Sequence, residues 1–327
     1  LIDHRHPTAV ISLVAAVLFL TFGPIGAPAA QDIFRLAAPP GAIYGNASFE
    51  QSTEAAISIS VEHEGTAVPA WFLGATAGGG SYSARILSRT SPAAQLSYQL
   101  YPSIPDGTTP VLASPGAPGF SAANVITSGD FASDAAVART ETYTVYFEIP
   151  SGQFRPSGTY TDTVELQLYR GDPGDPGTHV LADFATVTVS ARMARLVDLF
   201  VIQEPGIRTM DLTISVVDRL IATVHERSNA DTGYEVRVTS ANLAAAAPGP
   251  STPFFVEDGG SGTLPYSVSF GGVPATSWIN GTTVVTSASD TAGPDWVTRD
   301  LRISYSGSPL LPAGDYEDRL IIAIAAQ

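Results

Sequence analysis

Apolar and polar residues alternate along most of this chain. After Tyr160, the side chains of Val164, Leu166 and Leu168 fall on one side of an extended backbone. Thr161, Thr163, Glu165 and Gln167 fall on the other. After Tyr316, Leu320, Ile322 and Ile324 repeat the arrangement. A period of two with one polar face predicts half-buried antiparallel strands. The same reading covers Ala56–Val61, Ala94–Tyr101, Thr140–Ile149, Val180–Ser190, Leu212–Val217, Tyr234–Val238 and Arg299–Tyr305. In the run from Val180, one face carries Val180, Ala182, Phe184 and Thr186. Turn clusters such as Pro115-Gly116-Ala117-Pro118-Gly119 and Asp258-Gly259-Gly260 separate the runs. Many short strands with frequent turn signals predict an all-β protein built as β-sandwiches.

The strands are organised by a repeat. Pro156-Ser157-Gly158-Thr159-Tyr160-Thr161-Asp162 returns as Pro312-Ala313-Gly314-Asp315-Tyr316-Glu317-Asp318. Upstream of each copy lies a second shared signature, Leu96-Ser97-Tyr98-Gln99-Leu100 and Leu264-Pro265-Tyr266-Ser267-Val268. Two signatures in the same order predict two immunoglobulin-like sandwiches, 31–195 and 196–327, with a boundary near Ala191–Arg195. A Tyr opening the penultimate strand sits where sandwich folds place a tyrosine corner. Gly158, Tyr160 and Asp162, and likewise Gly314, Tyr316 and Asp318, are therefore expected to form structural corners. Asp162 and Asp318 occupy inward positions, so each carboxylate must be hydrogen-bonded or lie at the wet rim of its core.

The first segment reads as an address. Residues 9–20 are apolar but too short to span a bilayer comfortably, with Arg5 before them and Ala27-Pro28-Ala29-Ala30 after. That layout predicts a secretory signal over 1–30, and hence export. All 16 basic residues are Arg, against 31 acids, for a formal charge of -15. Such a chain offers no broad phosphate-binding surface, so nucleic acid is not an expected partner. With Cys 0, disulfides, thiolate–metal sites and thiol catalysis are excluded.

The two halves differ after the corner strand. The first continues through the turn Arg170-Gly171-Asp172-Pro173-Gly174-Asp175-Pro176-Gly177 into one more strand, which closes its sandwich. The second reaches Gln327 with no residues left for that strand. The expectation is an incomplete second sandwich, its groove lined by Leu320, Ile322 and Ile324 and, opposite, by Leu199 and Val201. An edge of this kind invites a strand from another chain.

These residues resemble a known family. Leu96–Tyr101, Tyr143-Thr144-Val145-Tyr146, Ile149-Pro150-Ser151-Gly152-Gln153 and the Pro156–Asp162 motif are similar to the spore coat protein U domain. That domain also forms subunits of archaic, Csu-type chaperone–usher pili. Asn229-Ala230-Asp231-Thr232-Gly233-Tyr234, Leu264-Pro265-Tyr266 and Leu311–Tyr316 resemble the same superfamily. The Cys residues common in its members are absent. The resemblance implies an exported subunit, carried through the periplasm to the cell surface. Its implied partners are a periplasmic chaperone, an outer-membrane usher and a neighbouring pilin subunit, with an unidentified surface or glycan ligand. A tip subunit would pair a complete binding domain with an incomplete pilin domain and need no donor segment, which Pro39-Pro40 would interrupt. An internal, strand-donating subunit is the nearest rival.

No catalytic, cofactor or metal site is expected. His63, His179 and His225 lack metal-ligand spacing, and no nucleophile elbow is present. Glu62-His63-Glu64 puts His on the face opposite both Glu. Arg170-Gly171-Asp172 is a turn sequence, and Asp172 and Asp175 lack the calcium-loop pattern. Trp71-Phe72-Leu73 is expected in the core. The alternative from another class is a secreted carbohydrate-binding or carbohydrate-active protein with a β-sandwich fold, because two carboxylates suffice for glycoside chemistry.

Overall fold

The computed structural model describes residues 32–37, 42–127, 130–207, 210–246, 248–288 and 295–327. The signal expected over 1–30 and the Pro39-Pro40 pair lie outside them. Nearly every described element is a strand. The first half contains β1 (Ile33–Ala37), β2 (Ala42–Ala47), β3 (Thr53–Gly65), β4 (Trp71–Ala75), β5 (Arg85–Thr90), β6 (Ala93–Tyr101), β7 (Ala135–Ile149), β8 (Gly158–Arg170) and β9 (Val180–Met193). The second contains β10 (Val197–Gln203), β11 (Val216–Ser228), β12 (Tyr234–Ser240), a short α1 (Ala241–Ala245), β13 (Phe254–Glu257) and β14 (Thr263–Pro265). It continues with β15 (Ser267–Phe270), β16 (Val273–Pro274), β17 (Thr282–Ala288), β18 (Val297–Tyr305), β19 (Tyr316–Glu317) and β20 (Leu320–Ala326).

Each half wraps two layers around its own core, as immunoglobulin-like sandwiches do. In the first, hydrogen bonding runs in the order β1-β3-β7-β6-β5-β8-β9-β2, with β4 also on β8. In the second, one layer is β10-β11-β18-β15-β16, and the other combines β17-β12-β20 with β14-β13-β19. The two cores are separate: one gathers Trp71, Tyr98, Phe147, Tyr160 and Leu166, the other Val224, Tyr234, Val236, Phe270 and Leu301. Trp71, Phe72 and Leu73 are fully buried, so β4 is a core strand with no wet face.

Two sequence readings are corrected. The alternating run Leu212–Val217 is mostly turn, and its strand begins at Val216 and continues to Ser228. In β9 the face bearing Val180, Phe184 and Thr186 is exposed, and the core side chains are Val187, Val189, Ala191 and Met193. A register shift between Leu168 and Tyr169 breaks the regular alternation of the pair β8–β9 near its distal end.

The sandwiches are stitched end to end through motif residues of both. Asn229 receives Leu196 N–H on its Oδ1 at 2.6 Å and donates its Nδ2 to the Ala194 carbonyl at 2.9 Å. The Ser157 amide donates to the Asn229 carbonyl at 2.8 Å. Arg89 pairs with Asp231 at 2.5 Å and also donates to the Ser157 carbonyl. Gly158 has φ +132, and a Cβ there would lie 2.5 Å from Arg89 Nη1, so glycine is what lets this guanidinium seat at the junction.

Candidate functional site

The corner strands of the two halves share one geometry up to a single difference. Aligning Tyr160 with Tyr316 brings Val164, Leu166 and Leu168 onto Leu320, Ile322 and Ile324. The inner neighbours agree with that alignment: Trp71 of β4 faces Arg170, and Tyr234 of β12 faces Ala326. On the other side, β9 pairs with β8 along its whole length, from Gly158↔Met193 to Arg170↔Val180. Beside β20, no described strand takes that place, and among the described strands it is hydrogen-bonded to β12 alone. Val164, Leu166 and Leu168 are 0% exposed, whereas Leu320, Ile322 and Ile324 are only half-buried against their core.

The opposite wall follows the same logic. Phe34 and Leu36 point inward from β1, facing His63 and Val61 of β3, and both are buried. In β10 the corresponding inward positions are Leu199 and Val201, facing Glu226 and Val224 of β11. Leu199 is half-buried and Val201 remains 38% exposed. The segment Val197–Gln203 pairs with β11 and approaches β20 without forming a hydrogen-bonded ladder with it. The five residues therefore sit on two neighbouring strands, β10 and β20, with their aliphatic side chains only partly covered. Such an edge presents unpaired backbone groups beside half-solvated aliphatic side chains.

The two repeated signatures meet in space. Tyr98 donates its hydroxyl to Asp162 Oδ2 at 2.7 Å, and Tyr266 donates to Asp318 Oδ2 at 2.5 Å. Each carboxylate also holds the chain that follows the inner neighbour strand. Asp162 accepts from Gly79 N–H at 2.9 Å, and Asp318 accepts from Ser240 Oγ at 2.6 Å and Asn242 N–H at 3.1 Å. Both carboxylates accept the next amide as well, Thr163 and Arg319 respectively, at 2.7 Å. The corner tyrosines close backward: Tyr160 donates to the Pro156 carbonyl at 2.7 Å and Tyr316 to that of Pro312 at 3.1 Å. At Gly314, the Glu257 carboxylate takes the space a side chain would need, 2.9 Å from an ideal Cβ. One carboxylate thus clamps three elements in each sandwich. The partnership was detectable in the sequence as two signatures recurring in one order, although nothing there showed that they touch.

Burial and the adjacent carboxylate push the Tyr98 and Tyr266 hydroxyls well above the ordinary tyrosine range. The folded state holds these protons more tightly than the unfolded chain. Their stabilisation is therefore complete below the unfolded value of about 10 and is lost as pH rises beyond it. Replacing either hydroxyl (Tyr98→Phe, Tyr266→Phe) is expected to cost about 1–2 kcal/mol at neutral pH, because a half-buried carboxylate loses one of its donors. Each variant should also show a shallower alkaline fall in urea-melt stability than the parent. Equal loss at every pH would contradict the assignment.

The residues suited to chemistry are occupied structurally. His63 is buried, its Nε2 2.9 Å from the Thr66 carbonyl, and Glu62 pairs with Arg35 at 2.8 Å. His225 stacks on Phe200 at 4.3 Å, and its Nδ1 is 3.0 Å from Thr298 Oγ1. His179 Nε2 lies 2.9 Å from the Asp172 carbonyl. Asp172 and Asp175 accept amides of Gly174 and Gly177 at 2.7 and 3.1 Å, as turn residues do. Sequence reasoning missed the buried Glu226, which Arg299 pairs at 2.6 Å, and Arg85, whose guanidinium bonds carbonyls of two loops.

Two immunoglobulin-like sandwiches, the second with an uncovered edge, define the class of protein. Residues 42–167, within the first sandwich, match the Spore Coat Protein U domain family, the family that the motifs there resemble. None of the curated proteins matches the chain. Among solved structures, the chain is similar to the CupB6 tip adhesin of Pseudomonas aeruginosa, at 10% identity, covering 91% of this chain and 94% of that one, with a TM-score of 0.40. It is also similar to a chain of the CsuC–CsuE chaperone–tip adhesion subunit complex from archaic Csu pili of Acinetobacter baumannii (12%, 86% and 98%, TM-score 0.37). A further likeness is to CfaE, the adhesive subunit of CFA/I fimbria of enterotoxigenic Escherichia coli (12%, 87% and 92%, TM-score 0.36).

Proposed function

We propose that this chain is an exported, non-enzymatic subunit of a chaperone–usher pilus or surface coat, placed at the fibre tip. Its second sandwich is completed by a strand from the neighbouring subunit. During assembly a periplasmic chaperone supplies that strand, and an outer-membrane usher directs the exchange. The first sandwich is then the outward module, available to a surface or glycan ligand. The observation that carries this reading is the contrast between β8 and β20: equivalent aliphatic positions, covered by β9 in one half and by nothing described in the other. The Spore Coat Protein U match supports it. The tip position is supported by β1, which pairs with β3 of its own sandwich. The uncovered edge is what distinguishes this reading from a free-standing secreted carbohydrate-binding protein, which has no use for a partner's strand.

The test is co-expression in a bacterial periplasm with the assembly chaperone encoded nearest its gene. The expected result is a soluble one-to-one complex that Ile322→Asp reduces at least about tenfold, since a charge in an apolar strand groove is left unpaired. A full chain that accumulates as a monomer, and ignores both the chaperone and the substitution, would overturn the proposal.

A further inference from the structure

The first sandwich contains a worked example of what fills the groove of the second. In it, β9 lies in the sense antiparallel to β8; its buried Met193 faces Gly158, and the four inward side chains before it stand directly opposite corner-strand residues. Ala191 faces Tyr160, Val189 faces Asp162, Val187 faces Val164 and Ala185 faces Leu166. Directly opposed residues on antiparallel strands share a face and touch, so the size of one limits the other. These four β9 side chains are alanine or valine, and Val187, Val189 and Ala191 are fully buried. Tyr160, Val164, Leu166 and Leu36 are buried in the same core, so alanine and valine complete a layer that already holds larger side chains.

The second sandwich repeats that wall. Tyr316, Asp318, Leu320 and Ile322 stand at the corresponding positions, and Leu320 is larger than its counterpart Val164. Asp318, like Asp162, is tied down by a buried tyrosine, so it cannot swing away to admit bulk. Close-packed interiors resist added methylenes, which force side chains off their rotamers.

We infer that the strand received by the second domain carries alanine or valine, and no aromatic residue, at the inward positions facing Tyr316, Asp318, Leu320 and Ile322. This rests on the strand-capture reading above and adds the size code of the occupant. Outward positions of β9 are Thr186, Thr188 and Arg192, exposed and without such a limit.

The test uses the intact chain and three synthetic peptides. One reproduces residues 183–193, Asp-Phe-Ala-Thr-Val-Thr-Val-Ser-Ala-Arg-Met. The second carries Phe at the inward positions of Val187 and Val189, and the third carries Phe at the outward positions of Thr186 and Thr188. Binding is read by thermal shift and by titration of a fluorescent label. The first and third peptides are expected to raise the melting temperature by about 5–10 °C at saturation, as a ligand of the native state does. The inward-Phe peptide is expected to bind at least about tenfold more weakly, the scale of an overpacked core. If the inward-Phe peptide binds as well as the others, the size code is wrong while strand capture stands. If no peptide binds, and an alternating leucine strand also fails, strand capture itself falls and the size code with it.

Discussion

Replacing Arg85 by methionine is expected to destabilise the first sandwich by about 2–5 kcal/mol, because several buried acceptors lose their donor at once. Arg85 opens β5 and is fully buried. Its Nη2 donates to the Leu112 carbonyl at 2.6 Å and to that of Thr76 at 2.9 Å, and its Nε reaches Thr76 again at 3.1 Å. Nη1 donates to Gln99 Oε1 at 3.0 Å. One guanidinium therefore joins the loop after β4, the long loop after β6 and the middle of the sheet. Burial lowers its proton affinity, and nearby Tyr98, Tyr82 and Asp162 oppose that pull. Methionine keeps the stem and part of the volume but removes every donor, leaving buried carbonyl groups short of partners at about 1–3 kcal/mol each. Against a typical domain stability of about 5–15 kcal/mol, the loss is large. Urea melts should show it, and limited proteolysis should cut first in residues 76–84 and 102–112. A loss under about 1 kcal/mol would mean the loops hold themselves.

How far the sequence could be read follows from where alternation is physically enforced. The corner strands were legible because one face meets water and the other a core, so Leu320, Ile322 and Ile324 announce themselves by period two. Alternation fails where both faces are dry: Trp71–Ala75 is buried throughout and has no polar phase to detect. It misleads in β9, where Val180 and Phe184 are apolar yet exposed, and the buried phase is set by Val187, Val189 and Ala191. It misleads again at Leu212–Val217, an alternating stretch the chain uses mostly as turn. Inward charges such as Glu226 and Arg85 read as surface residues until their partners are known. The corner carboxylates accept hydrogen bonds from tyrosines that lie far away in sequence, and no local pattern reports those donors.

The open edge carries the largest consequence. Full burial of an aliphatic side chain is worth roughly 1.5–3 kcal/mol over leaving it exposed. Leu320, Ile322 and Ile324 forgo part of that, as do Leu199 and Val201 on β10. A covering strand would recover it and pair the free edge of β20, a gain large enough to decide whether the second sandwich persists as a monomer. The most direct measurement is to extend the intact chain beyond Gln327 with a flexible linker and an alternating Ala/Val strand, and compare melting temperatures and oligomeric state with the parent. The account predicts a monomer whose second transition rises by about 10–15 °C or more, the scale of a gain of several kcal/mol in a domain this size. The Ile322→Asp version of the same fusion should lose most of that rise. A parent chain that is already a stable monomer, with both transitions unmoved by the fused strand, would contradict it.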